Sequence, residues 1–408
     1  MVDQRAPGAA SEPERLGRVE FIAMTALLFA TVAFSIDAML PALPQIGREL
    51  TPDNPNHAQF IITSFAFGIG IGTLVAGPLS DSFGRKPVIL SGALLYMAGA
   101  ALAGLAQSLE LVLLGRVVQG LGAAAPRVVA LAVVRDLFSG REMARIVSFV
   151  MMIFTLLPAI APSVGAGIIA LVGWRGIFGV FLVFSLVSVS WFAIRQAETL
   201  PPARRLPLRL TPLAAAAREV FADKVARTAT LVQALVFSLL FMNLSSVQQV
   251  FDIHFGRGPA FPYWFAFIAV IAGSASFLNA MLVGRLGMRY LIRRALSVQV
   301  VLSGTMATMY WAGLWPDWAE FPAYVLWSIT VFGLLGLTIG NLNALAMEPL
   351  GHIAGMAASI IGAIATVGSV LLAVPVGQMF DGTPRPLVTG AFLAVVAALV
   401  LMRRLPER

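Results

Sequence analysis

No cysteine occurs anywhere in the 408 residues, which excludes disulfide bonds and thiolate metal sites. Histidine is nearly as scarce. His57, His254 and His352 fall in or near three different loops, and no two of them have the spacing of metal ligands. Without a paired nucleophile and base or a ligand cluster, the chain lacks the parts of an intramembrane enzyme, and no enzymatic activity is expected. Charge is the third scarcity. Only 12% of residues are charged while 59% are hydrophobic, against about 25% and about half in soluble domains. A soluble core does not require that departure, and the composition places the chain in a lipid bilayer.

A run of about 20 apolar residues crosses the hydrocarbon as a helix, because each backbone N–H and C=O must be satisfied within its own segment. Twelve such units are predicted, near 20–43, 58–79, 88–107, 110–134, 145–172, 176–195, 226–250, 262–284, 295–315, 320–345, 354–378 and 386–403. The fold class expected is all-α and integral to the membrane. Its orientation follows from the basic residues, which accumulate in cytoplasmic loops. With the N-terminus inside, the inner segments hold 22 of the 28 Lys and Arg, among them Arg5, Arg15, Arg209 and Arg408. The outer loops hold only Arg48, Arg175, Arg257 and Arg385, and Arg116 and Arg127 lie within spans. Both termini are therefore expected in the cytoplasm. The net charge of +8 is topological in this reading, and no nucleic-acid partner is expected. The first 20 residues, MVDQRAPGAASEPERLGRVE, mix both signs of charge with Pro and Gly, unlike a secretory signal. The first helix is expected to stay as an uncleaved anchor.

The longest inner connection, 195–227, is rich in Pro and Arg and lies near the midpoint. It divides the chain into an N-terminal six-helix bundle (1–195), a cytoplasmic linker (196–225) and a C-terminal six-helix bundle (226–408). A weak internal repeat supports the division. SFGRKPVIL after the second span aligns with VGRLGMRYLI after the eighth when Gly84 is set on Gly287, which puts Asp81 on Gly284 and Arg85 on Met288.

The second span ends in GPLSDSFGRKPVIL (77–90). Topology explains Arg85 and Lys86, and a tight turn explains Gly84, but neither explains Asp81. A negative charge at a helix C-terminus opposes the helix dipole. Asp81 must therefore meet an outside partner, either a cation such as Arg135 or the N-terminus of another helix. With Gly77, Gly84 and Arg85 it would form a latch that pairs in one conformation and opens in another.

The order Gly, Pro, Leu, x, Asp, x, x, Gly, Arg, Lys resembles the loop signature of the major facilitator superfamily. GRVVQG (115–120) looks like that superfamily's Arg-x-x-Gln-Gly motif. APSVGAG (161–167) is similar to its antiporter motif around Pro162 and Gly165, although Ala161 and Ala166 stand where that motif has Gly. IDAMLPALPQIG (36–47), VVRDLF (133–138), GWRGIF (173–178) and NLNALAMEPLGHIAGMAASIIG (341–362) resemble the Bcr/CflA branch of drug-resistance antiporters. The resemblance covers essentially the whole chain. It implies two bundles of six helices in a bacterial inner membrane, a monomer, no cofactor beyond the proton gradient, and export of small drug-like molecules in exchange for protons. A facilitator for a metabolite or nutrient shares every superfamily motif, and only the segments in spans 1 and 10 favour drugs.

Ionisable groups inside a span are costly and are functional candidates for that reason. Three qualify: Asp37, Arg116 and Arg127. With spans 1 and 4 antiparallel, Asp37 and Arg116 each fall about six residues from the outer boundary, roughly 9 Å deep at 1.5 Å per residue. They are expected to face one another. Gln119 lies one turn beyond Arg116, and Arg127 follows on the same face about 16 Å deeper. Burial favours a neutral carboxyl and a nearby guanidinium favours a charged one. A change in their separation would let Asp37 bind and release a proton; the alternative is a fixed pair that orients helices. For the substrate, Gln233 and Asn243 in span 7 and Asn341 and Asn343 in span 10 are the amide candidates beside Arg127.

Overall fold

A computed structural model describes residues 16–208 and 210–405. Arg5, Arg15, Arg209 and Arg408, counted above toward the topology, lie outside the described residues. Among the described residues the chain is helical throughout, with no strand. The first half holds α1 (Arg18–Asp37), α2 (Leu43–Leu50), α3 (Phe60–Phe83), α4 (Arg85–Leu105), α5 (Leu109–Leu137), α6 (Gly140–Val172) and α7 (Arg175–Arg195). A short α8 (Leu210–Ala222) follows, then α9 (Lys224–Gln249), α10 (Phe261–Leu286), α11 (Met288–Ala312), α12 (Asp317–Met347), α13 (Ala354–Gln378) and α14 (Arg385–Arg403). Ten stretches among the described residues are long and apolar enough to cross a membrane. One of them, Asp317–Gln378, contains both α12 and α13. Helix α11, which carries Arg289, Arg293 and Arg294, is not among them.

Most helix limits follow the apolar runs; α6 begins at Gly140 rather than near 145, α11 begins at Met288 rather than near 295, and α1 departs at its end. The first span was expected to be one helix to residue 43, yet α1 stops at Asp37. Pro41 and Pro44 cannot donate to the preceding turn, so the chain passes through a 3-10 turn at Leu40–Ala42 into α2. Asp37 thereby sits at the end of its helix rather than within it. The repeat also has a backbone basis. Gly84 ends α3 and begins α4 at φ +106°, and Gly287 ends α10 and begins α11 at φ +79°. Both lie where a Cβ is strained.

Packing is densest where small residues let backbones meet. Helices α4 and α5 close on Gly92, Gly99, Gly115 and Gly122; a Cβ added at Gly99 would lie 2.3 Å from the Gln119 backbone nitrogen. Helix α5 meets α3 the same way at Gly68 and Gly120, as expected where lipid offers no hydrophobic drive and van der Waals contact must hold helices together. Helix α1 lies against α5, α6 and α7. In the second half α9 contacts α12, α13 and α14, while α10 and α11 contact α12. The main contacts across the sequence midpoint are α3 with α13 and α6 with α10. At one end of the α3/α13 contact, Asn56 Nδ2 donates to the carbonyls of Gln378 and Phe380 at 3.2 and 2.8 Å. Gln378 Nε2 donates back to Asn56 O at 3.0 Å, and Gln59 donates to the Gln249 side chain.

Candidate functional site

A cavity of about 270 Å³ opens between α1 and α6 on one side and α9, α10 and α12 on the other. Its walls are apolar, with Phe154, Leu240, Phe265 and Phe332 among them, and the polar side chains that reach it are Asp37, Thr155 and Ser276. The Thr155 hydroxyl is occupied by Met151 O of its own helix. Asp37 is 5% exposed and is the one ionisable group in the lining. Among the described residues no hydrogen bond or ion pair reaches its carboxylate.

The turn after Asp37 is fixed by α6. Gly165 packs on Ala38 so closely that an added Cβ would lie 2.1 Å from the Ala38 carbonyl oxygen. Pro162 is buried on the same helix, and Pro158, one turn earlier, lines the cavity. The antiporter-like segment thus acts on Asp37 through the backbone beside it.

Arg116 does not face Asp37, contrary to expectation. Its Nε donates to Ile61 O at 3.0 Å, Nη2 to Ser35 O at 3.0 Å and Nη1 to Gln119 Oε1 at 2.7 Å. The guanidinium lies 4.2 Å from the centre of the Phe65 ring and is fully buried. Ser35, whose hydroxyl meets the Tyr96 hydroxyl at 2.7 Å, precedes Asp37 by two positions. Two residues turn a helix by about 200°, so the face of α1 that Arg116 holds is the one turned away from the cavity. Arg116 and Gln119 tie α1, α3 and α5 together, and Asp37 is left without them.

Arg127 is half-buried on α5, with no hydrogen-bond or ion-pair partner among the described residues. The amide candidates do not converge on the cavity. Asn341 Nδ2 donates to Asn279 Oδ1 at 2.7 Å and to Leu337 O at 2.9 Å. Asn343, two residues further, is exposed on another face. Gln233 and Asn243 are buried, each with a side-chain carbonyl oxygen unpartnered among the described residues. Helix α9 instead presents Leu240 and Leu244 to the cavity.

The loop after α3 is a charged cluster with partners other than those expected. Asp81 pairs with Arg85, four residues on. Arg85 Nε also reaches Asp136 Oδ2 at 3.0 Å, and its Nη1 reaches the Ser80 hydroxyl at 2.8 Å. Arg135, the expected partner of Asp81, is exposed and makes no ion pair among the described residues; its neighbour Asp136 serves the cluster instead. The N-terminus of α4 is capped from the linker. Glu198 Oε1 accepts from Arg85 N at 2.9 Å and Oε2 from Lys86 N at 3.1 Å. Thr199 Oγ1 donates to Asp136 at 2.9 Å, and Leu206 N donates to Asp81 O at 2.9 Å. Gly77 faces α13, where an added Cβ would lie 2.9 Å from the Ser359 hydroxyl. Farther along the linker, Glu219 on α8 pairs with His352 at 2.8 Å.

Sequence reasoning missed Asp136 and Glu198. Asp136 stands inside VVRDLF beside the arginine that was chosen. Glu198 carried one signal, an isolated acid in a basic linker.

The sequence profile of the Major Facilitator Superfamily matches residues 25–373. A bicyclomycin resistance protein homolog of Haemophilus influenzae is 29% identical over 384 residues, covering 93% of this chain and 94% of that protein. The multidrug resistance protein MdtL of Salmonella typhi is 30% identical over 346 residues, covering 82% of each. Among solved structures, a D-xylose-proton symporter superimposes with a TM-score of 0.76 at 16% identity, covering 95% of this chain and 98% of that one. At that identity the likeness is one of fold. The similarity to drug-resistance proteins that the motifs suggested is borne out across the chain.

Proposed function

The chain belongs to the major facilitator superfamily, and we propose that it is a secondary active transporter that exports drug-like amphiphilic molecules in exchange for protons. The observation that carries this reading is Asp37, a carboxylate without a partner among the described residues, in an apolar cavity between the two halves of the chain. A charge so placed is costly. It is relieved by a proton or by a cationic group that enters the cavity. A carboxylate that accepts either, one at a time, exchanges them.

The transporter would span the bacterial inner membrane twelve times, through α1, α3 to α7 and α9 to α14, with both termini in the cytoplasm. Residues 1–195 and 226–408 would form the two bundles, joined by 196–225, in a monomer that needs no cofactor beyond the proton gradient. Facilitator bundles rock about a site near the bilayer midplane. Here the rocking surfaces are the α3/α13 and α6/α10 contacts. Arg116 and Gln119 hold the back of α1, Gly165 holds the turn after Asp37, and the cluster of Asp81, Arg85, Asp136 and Glu198 restrains the cytoplasmic end. Arg127, Gln233, Asn243 and Asn341 lie outside the Asp37 cavity and are the polar groups a substrate would meet if rocking widens it. The bicyclomycin and multidrug resistance named in the relatives supports a drug rather than a nutrient as cargo.

The test is growth of an efflux-deficient bacterium that makes either the wild type or Asp37→Asn, across a panel of antibiotics. Wild type is expected to raise the tolerated concentration of at least one compound, and the variant, present in the membrane in equal amount, is expected not to. Equal sensitivity of wild-type and empty cells to every compound would contradict drug export and leave a metabolite as the cargo.

A further inference from the structure

Where α3 begins, side-chain amides of the two halves bond to one another: Asn56 and Gln59 from the turn before α3, Gln249 from the end of α9 and Gln378 from the end of α13. We propose that these amides form a clasp that shuts the Asp37 cavity toward that face of the membrane and has to part before Asp37 can meet that face. The clasp acts only if the two bundles rock as proposed above, and it names the side chains that oppose the rocking at one end.

The bonds form one connected set. Gln59 Nε2 donates to Gln249 Oε1, and Gln249 Nε2 donates to Asn56 Oδ1 at 3.4 Å. Asn56 Nδ2 donates onward to Gln378 O and Phe380 O, and Gln378 Nε2 returns a bond to Asn56 O at 3.0 Å. Gln59 and Gln249 are 2% and 6% exposed. A buried amide that loses its partner without gaining water is costly, so these two side chains part only when water enters between the halves. Gly377 gives the set its room, since an added Cβ there would lie 2.0 Å from Gln59 Oε1.

One of these contacts is also a helix cap. The last carbonyls of a helix have no partner within it. Gln378 ends α13, and its carbonyl is supplied by the Asn56 amide of the other half. Parting of the halves therefore uncaps α13 as well as breaking the pairs between side chains.

The position of the clasp links it to Asp37. Arg116 bonds both Ser35 O on α1 and Ile61 O on α3, so Asp37, two residues after Ser35, lies level with the start of α3. The 3-10 turn that follows Asp37 meets α9 at the same end. The charged cluster of Asp81, Arg85 and Asp136 stands at the other end of α3, 24 residues away, or about 36 Å along the helix. Its bonds run among residues 80–206, whereas each bond of the clasp joins the first half to the second. With the topology proposed above, the clasp face is the outer one.

The experiment uses the full chain in membrane vesicles. It has no cysteine, so Ala33→Cys places a single thiol in the cavity wall. The reaction of that thiol with a cationic thiosulfonate that does not cross membranes is timed in right-side-out and in inverted vesicles. In the otherwise unaltered chain the thiol is expected to react more slowly from the clasp face than from the opposite face. Adding Gln249→Ala, which removes two bonds, is expected to speed the reaction from the clasp face about tenfold, and Gln59→Ala, which removes one of the same bonds, about fivefold. Together they should give no more than Gln249→Ala alone, because the bond they share is lost once. If Gln249→Ala does not reach the membrane, Gln378→Ala, which removes one bond from a half-buried side chain, is expected to give about fivefold. Rates from the clasp face that no variant changes would overturn the clasp, as would an equal rise from both faces or effects of Gln59→Ala and Gln249→Ala that multiply. The labelling needs neither cargo nor a proton gradient, so it can fail while drug export stands, and a negative growth test leaves its result intact.

Discussion

Replacing Glu198 by Gln should loosen the linker from the start of α4. The carboxylate accepts from Arg85 N at 2.9 Å, Lys86 N at 3.1 Å and Leu200 N at 2.8 Å. Gln keeps the shape, but its amide nitrogen is a donor and would have to face one of these N–H groups. The negative charge at the start of α4 is also lost. A charge at a helix N-terminus contributes about 0.3–1 kcal/mol when exposed and up to about 2 when partly buried. Glu198 is partly buried, and one of its bonds would also become repulsive. Together these imply about 1–2 kcal/mol in favour of the undocked linker, or roughly a five- to thirtyfold rise in its opening equilibrium. Hydrogen exchange of the peptides covering 196–208 reads that equilibrium directly. Exchange there should accelerate by that factor, while α5 near Arg116 stays unchanged. Unaltered exchange over 196–208 would refute the idea that Glu198 holds the linker. Uniform acceleration across all helices would show that the variant had lost stability globally.

Two further substitutions probe the elements around Asp37. Gly165→Ala sets a methyl against the Ala38 carbonyl, a backbone atom of the turn that follows α1; overpacking of about 1–3 kcal/mol is expected. Wild-type thermal stability and transport in that variant would mean that α6 does not position the turn after Asp37. Arg116→Lys keeps the charge but cannot reach Ile61 O, Ser35 O and Gln119 Oε1 together. Losing two such bonds, each about 1.5–3 kcal/mol, should lower the unfolding temperature markedly, and an unchanged melting curve would count against its packing role.

The helices were legible because apolar run length alone decides what spans a bilayer. Helix α13 occupies 354–378 and α14 Arg385–Arg403, within a residue of the runs that predicted them. The early end of α1 was also written in the chain, at Pro41 and Pro44, but hydropathy does not register a missing N–H. Asp37 could be singled out by its cost in lipid. Its separation from Arg116 could not, because depth counting gives the level of a residue along the membrane and not the side of the helix it occupies. The loop cluster shows another limit. Asp81 and Arg85 are local and were found together, whereas Glu198 joins Arg85 across 113 positions. No local pattern marks such a pairing. The amides of α9 and α12 were chosen by residue type, and type does not reveal that Leu240 and Leu244 are the α9 side chains turned toward the cavity.

The claim that Asp37 exchanges protons for cargo is tested most directly by proton movement in inverted membrane vesicles with an imposed pH gradient. Wild type and Asp37→Asn would be compared as antibiotics are added one at a time. The account predicts that at least one compound dissipates the gradient in wild-type vesicles and none does so in the variant. A compound that dissipates the gradient equally in both would contradict it, since the proton would then travel by a group other than Asp37.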